Sequence, residues 1–158
     1  MEKQPAHHHA HQEAAVTIAT ILSRKGTSVV TIGPDATVLE AMRLLMEHRI
    51  GGVVVEHDGE PVGILTERDV LRLGAEDPRQ LESLPVERAM TRELITGQPD
   101  QSLRAVMEVM TEHRIRHLPI LAEGRLAGIV SIGDIVDAAR RAAESENQHL
   151  RAYIHGAG

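Results

Sequence analysis

Thr111-Glu-His-Arg-Ile-Arg-His-Leu-Pro-Ile120, followed by Glu123-Gly-Arg-Leu-Ala-Gly-Ile-Val-Ser-Ile-Gly-Asp134, has an earlier copy in the same chain. The copy is Met46-Glu-His-Arg-Ile-Gly-Gly-Val-Val-Val55 and then Asp58-Gly-Glu-Pro-Val-Gly-Ile-Leu-Thr-Glu-Arg-Asp69. Subtracting position 69 from 134 gives a shift of 65, and that shift, without a gap, also pairs Pro34 with Pro99, Asp35 with Asp100 and Met42 with Met107. Chance does not hold one register over such a span, so the chain contains an internal duplication.

Working outward from the repeat, each copy opens on Pro-Asp. Thr37 followed by Glu40 has the spacing of a capping box, in which each side chain satisfies a free amide of a new helix. Val38, Ala41, Met42 and Leu45 then fall on one helical stripe, and Leu103, Val106, Met107 and Met110 take the same places in the second copy. Gly52 to Val55 and Val62 to Leu65 are β-branched runs around Asp58-Gly59, a hairpin turn. Thr66 to Leu73 reads as a second helix ended by Gly74. Val16 to Leu22 and Val86 to Met90 are the lead-in helices, with short strands at Val29 to Ile32 and Leu94 to Thr96. Each half is therefore strand, helix, strand, strand, helix.

The whole chain has 158 residues, so each half alone is too short to bury much core, and the two fold against one another as one α/β (α+β) body. The expected division is a disordered His-rich tail over 1–13, repeat one with its lead-in helix over 14–74, a linker over 75–85, repeat two over 86–140 and a C-terminal helical extension over 141–158. His7-His8-His9-Ala10-His11 could take Zn, Ni or Cu, but no second ligand cluster closes a tetrahedral site. The segment reads as a disordered tail or a tag remnant rather than a physiological metal site.

Composition narrows the function. The formal net charge of -6 disfavours a nucleic-acid backbone as main partner. No apolar run is long enough to span a bilayer and no signal-peptide pattern is present, which points to a cytoplasmic protein without membrane contact. There is no cysteine, no nucleotide-binding glycine loop and no hydroxyl-His-Asp relay, and the reading is of a non-enzyme without a catalytic cofactor. With no Phe, no Trp and one Tyr, a flat ligand must lie between aliphatic side chains and backbone.

The duplicated pattern resembles a tandem pair of cystathionine-β-synthase (CBS) domains, a Bateman module. The resemblance rests on the Pro-Asp-x-Thr/Ser opening, the Arg-Ile core strand, the Asp/Glu-Gly turn and the Gly-x-x-Ser/Thr-x-x-Asp close, each present twice between Val16 and Ala139. It is similar above all to compact bacterial stand-alone CBS pairs described as signal-transduction proteins. The resemblance implies a three-stranded sheet with two helices per repeat, two pseudo-symmetric clefts between repeats, and homodimers stacked into a disc.

The closing motifs carry the chemistry. Thr66-Glu-Arg-Asp69 and Ser131-Ile-Gly-Asp134 each place a hydroxyl at a helix start and a carboxylate three residues on. One reading is a helix cap that needs no ligand. The other is a nucleotide site: Gly63 and Gly128 clear the backbone, free amides attract phosphate, and the carboxylate accepts both ribose hydroxyls. The resemblance supports the second, with Asp69 and Asp134 on ribose and Thr66 and Ser131 near phosphate. It also assigns Arg116 and His117 to the ligand, because adenine-binding CBS pairs place His or Arg before Leu-Pro; Pro119 is offered as a contact to the base, with plain core as its other reading. Repeat one has Gly51-Gly52 there, so the clefts are chemically unequal, and Arg68 stands where the second motif has Gly133. Thr31 and Thr96 are weaker candidates for the base, while Val53, Val54 and Leu118 are read as core. Glu47-His48-Arg49 and Glu112-His113-Arg114 are credited to helix ends.

The expectation is a regulatory sensor of AMP, ADP, ATP or NAD(H) that signals through a homodimer, with an unknown protein as downstream target. The alternatives are an adaptor with empty clefts, and a sensor of S-adenosylmethionine or of metal.

Overall fold

The computed structural model describes residues 16–156. The histidine cluster and the other expectations for 1–13 lie outside the described residues.

The chain runs α1 (Ile18–Lys25), β1 (Thr31–Ile32), α2 (Val38–His48), β2 (Gly52–His57), β3 (Glu60–Thr66), α3 (Glu67–Glu76), a 3₁₀ turn (Pro78–Glu82), α4 (Val86–Ala89), α5 (Leu103–Glu112), β4 (His117–Ala122), β5 (Arg125–Ser131) and α6 (Ile132–Gly156). In the first sheet β1 lies parallel to β2, which is antiparallel to β3. In the second sheet β4 and β5 form the hairpin. The duplication extends to the register: Gly52 faces Thr66 and His117 faces Ser131, and both hairpins slip at equivalent points, Val55/Glu56 and Ile120/Leu121. Both turns place an acidic residue and a glycine at positive φ, Asp58-Gly59 and Glu123-Gly124, which matches the twist of the strands.

Local chemistry explains the helices. Thr37 and Glu40 form the expected capping box, and Ser102 accepts the Ala105 amide at 3.1 Å in the second copy. Val38, Ala41 and Leu45 are buried as the stripe requires, as are Val106 and Met110. Met107 departs from it, being 41% exposed. Two further expectations are corrected. Gly74 does not end α3: the helix continues to Glu76 and stops because Asp77, which precedes Pro78, is extended. Leu94 to Thr96 is not a strand, since pairing in this half falls to Gly97, whose amide donates to the Pro119 carbonyl at 2.9 Å. The last helix and the tail are one rod, and from Ala143 to Gly156 every residue of α6 is exposed.

The lead-in helices are exchanged. Ile18, Ile21 and Leu22 of α1 join Val106, Met110, Leu118, Ile120, Val130 and Ile135 in the core of repeat two. Val86 and Ala89 of α4 join Val38, Leu45, Val53, Val55 and Leu65 in the core of repeat one. Equivalent hydrogen bonds fix both, from the Ala19 amide to the Pro99 carbonyl at 2.8 Å and from the Glu87 amide to the Pro34 carbonyl at 3.0 Å. The glycines of the closing motifs make the exchange fit: a Cβ on Gly128 would stand 2.5 Å from a methyl of Leu22, and one on Gly63 would collide with the sulfur of Met90.

Ile18 is fully buried although it lies far from repeat two in sequence. Ile18→Ala is expected to lower unfolding free energy by about 2 to 5 kcal/mol in a urea titration, because the cavity opens inside the second core.

Candidate functional site

The hairpin register assembles the second candidate cluster. Because His117 faces Ser131 across β4 and β5, Arg116-His117 is brought beside the motif that starts α6. The Ile132 amide donates to the Arg116 carbonyl at 2.9 Å and ties the two together. Asp134 Oδ2 accepts the Ser131 amide at 2.8 Å, and the Ser131 hydroxyl accepts the Asp134 amide at 3.2 Å. The motif is thus a helix cap. It also holds the carboxylate in place at the head of α6, with Oδ1 free of hydrogen bonds among the described residues.

A residue that the sequence reading passed over completes this cluster. Lys25, the last residue of α1, donates from Nζ to Asp134 Oδ2 at 2.7 Å and to the Ile129 carbonyl at 3.0 Å. The pair is only partly open to solvent, with side-chain exposures of 39% and 26%. Burial pushes the Asp134 carboxyl up, but the Lys25 ammonium and the Ser131 amide and hydroxyl outweigh it and hold the group below the ordinary 3.8. The pair stands at one end of a groove of about 970 Å³ between α1 and α6, which also takes in Arg24, Arg141 and His149.

The first cluster is its geometric twin with different chemistry. Asp69 Oδ2 accepts both the Thr66 amide and the Thr66 hydroxyl, each at 2.9 Å. No cation pairs with Asp69 among the described residues. The Glu67 amide donates to the Gly51 carbonyl at 3.1 Å, as Ile132 does to Arg116.

The two clusters meet over Gly51-Gly52. The His117 ring lies across this dipeptide, and a Cβ on Gly51 would stand 2.7 Å from its Nε2 and 3.4 Å from Glu67 Oε2. The missing side chains of repeat one are therefore occupied by the imidazole of repeat two. Burial pushes the His117 imidazole below its ordinary 6.5; Glu67 and Asp134 oppose this, while Lys25 and Arg116 add to it.

The remaining candidates scatter. Arg68 and Arg116 are exposed, and Pro119 is buried in β4. Thr31 pairs with Val54 inside the sheet. Thr96 faces a cavity of about 440 Å³ by the Glu123-Gly124 turn, away from Asp134. Gly63 and Gly128 do not open onto a ligand space: protein fills the space above both, Met90 and Leu22 respectively. Val53, Val54 and Leu118 are fully buried core. Among the described residues no group of His, Asp or Glu is placed to hold a metal ion, and no helix is long and apolar enough to cross a membrane.

A family model of the CBS domain matches the chain twice, over residues 20–76 and 86–141. The chain is similar to the CBS domain-containing protein CBSX3, mitochondrial, of Arabidopsis thaliana, with 36% identity over 97% of this chain and 79% of that protein. It is also similar to the crystal structure of the CBS-domain containing protein ATU1752 from Agrobacterium tumefaciens, at 42% identity and a TM-score of 0.76, covering 78% of this chain and 99% of that one. The CBS domain pair of protein MJ0100, solved in complex with 5′-methylthioadenosine and S-adenosyl-L-methionine, superposes with a TM-score of 0.69 at 25% identity, over 78% of this chain and 95% of that one.

The buried imidazole sets a pH dependence. The unfolded chain takes up the His117 proton near 6.5 while the folded chain resists it, so stability is complete above that pH and falls as pH drops through the lower folded value. Asp134 keeps its charge throughout this range. The melting temperature is expected to be lower at about pH 5.5 than at about pH 7.5, and His117→Gln is expected to reduce the difference.

Proposed function

The chain belongs to the CBS-domain family, and from that premise we propose that it is a regulatory sensor whose two clefts between repeats take adenosine-containing ligands. AMP, ADP, ATP and NAD(H) are the leading candidates, with S-adenosylmethionine behind them. The observation that carries this reading is the pair of carboxylates, Asp69 and Asp134, held at equivalent places by their caps through Oδ2. The second oxygen of each is left for a ribose diol, and the Thr66 and Ser131 helix starts are left for phosphate. The adenosyl ligands of the MJ0100 pair support the ligand class.

Signalling through a dimer fits the exposed apolar surface. Leu71 and Val136 occupy equivalent positions in α3 and α6 and are 73% and 60% exposed, and Met46 is exposed on α2. A disc of two chains would cover such residues. Occupancy acts on that dimer only through different affinities for its two shapes. Sedimentation is expected to find a dimer that Leu71→Glu with Val136→Glu converts to monomer.

A second reading, an adaptor that binds a protein partner, is favoured by Leu150, Tyr153 and Ile154, which are 54%, 80% and 70% exposed on the last turns of α6. Ligand binding separates the two. Titrating AMP, ATP, NADH and S-adenosylmethionine calorimetrically, Asp69→Ala or Asp134→Ala should weaken binding at its own cleft roughly tenfold to a hundredfold while the protein stays folded. Unchanged affinity in the double variant, or no binding of any of the four by the parent protein at millimolar concentration, would leave the adaptor reading.

A further inference from the structure

The two clefts share their frame and differ in charge. Among the described residues Asp69 is bonded only by its own cap residue, whereas Asp134 is paired with an ammonium from a helix 109 residues away in sequence. Equivalence of the lead-in helices identifies what the first cleft has instead. Ala19 and Glu87 make the same bond to Pro99 and Pro34, an offset of 68 (87 − 19), which carries Lys25 to Glu93. Glu93 is exposed and lies beyond the end of α4, which stops at Ala89. The cation at Asp134 is therefore a property of one cleft alone.

We propose that Lys25 makes the Asp134 cleft selective for adenosyl ligands that carry an anion at the 5′ position, a preference that the Asp69 cleft does not share. The proposal rests on the cleft reading above and names which ligand each cleft prefers. Lys25 is held at Asp134 by two bonds: besides the carboxylate, a second N–H donates to the Ile129 carbonyl at 3.0 Å, from a backbone that ends α1 before Gly26 at a φ of 89°. A ribose diol at the free Oδ1 of Asp134 shares the carboxylate that Lys25 holds through Oδ2, so the half-buried ammonium is left with a weakened counterion and gains from a further anion. A 5′-phosphate beside the ribose supplies that anion, a 5′-thioether does not, and a 5′-sulfonium adds a like charge. Arg116, whose carbonyl accepts from the Ile132 amide at the head of α6, adds a second cation near the motif and favours an anionic ligand over a cationic one.

The test uses the full chain carrying Asp69→Ala, so that only the second cleft remains, with AMP and 5′-methylthioadenosine as probes that share adenosine and differ in 5′ charge. Calorimetric titration is expected to show AMP binding at least about tenfold tighter. Lys25→Met, which keeps the aliphatic stem, should bring the two affinities close together by weakening AMP and strengthening the thioether. Lys25→Arg should retain the preference. If both ligands bind and their ratio is the same with lysine or methionine at position 25, Lys25 is not the selector although the clefts stand. If neither ligand binds the parent chain nor the Asp69→Ala chain at millimolar concentration, the cleft reading falls and this proposal with it.

Discussion

Everything in this molecule depends on the exchange of its lead-in helices. Each repeat alone has a hairpin and two helices, and leaves one face of its sheet uncovered. The face is covered by a helix that precedes the other repeat: Leu22 seats over Gly128 and Met90 over Gly63. Neither repeat can lose contact with the other without opening its own core, so the pair folds as one unit although it arose by duplication. The absence of large rings is compatible with this. The core is built from Ile, Val, Leu and Met, whose small increments of volume suit two near-identical cavities, each filled by the helix that precedes the other repeat.

The exchange also decides what the closing motifs become. As a cap, Ser/Thr-x-x-Asp satisfies amides at a helix start, and both copies do so with nearly the same distances. As a ligand site, it needs the carboxylate to be held still and partly unsatisfied, which the cap provides. The two readings of the motif are thus not rivals: the bonds that satisfy the helix are those that orient the acid. What separates the copies is the neighbour delivered by the exchanged helix. α1 is long enough to bring Lys25 to Asp134, and α4 ends before a counterpart could reach Asp69.

The fold was legible in the residues where local rules govern. A gapless shift of 65 predicted two equivalent hairpins, and their registers and slips agree to the residue. Thr37 with Glu40 and Asp58-Gly59 acted as their types dictate. The misses arise where tertiary contact overrides local preference. Gly74 has the signature of a helix end, yet the helix holds until Pro78 forces Asp77 out of the α region. Arg49 and Arg114 adopt the left-handed conformation at φ near 52° and 53°, a place more natural to glycine or asparagine, where the amide of each folds back on the helix it ends. Within the site, Arg116 and His117 could be set beside Ser131 by counting along a hairpin. Lys25 could not, because nothing in a lysine before a glycine announces an acid 109 residues on. Gly63 and Gly128 signalled close approach correctly, but a missing side chain does not say whether ligand or protein fills the gap.

The last helix gives this arrangement a mechanical aspect. α6 begins at the Ser131–Asp134 cap and continues unbroken for 25 residues to Gly156, which at 1.5 Å per residue is a rod about 37 Å long. Its first three turns pack on the body and every residue from Ala143 onward is exposed, so the rest of the rod projects away from the Ser131–Asp134 cap. A tilt of about 10° at the root displaces the tip by about 6 Å, larger than the shift that a side chain makes when it trades one partner for another. A rotation of that size at the Ser131–Asp134 cap would thus be felt most at the far end of the rod.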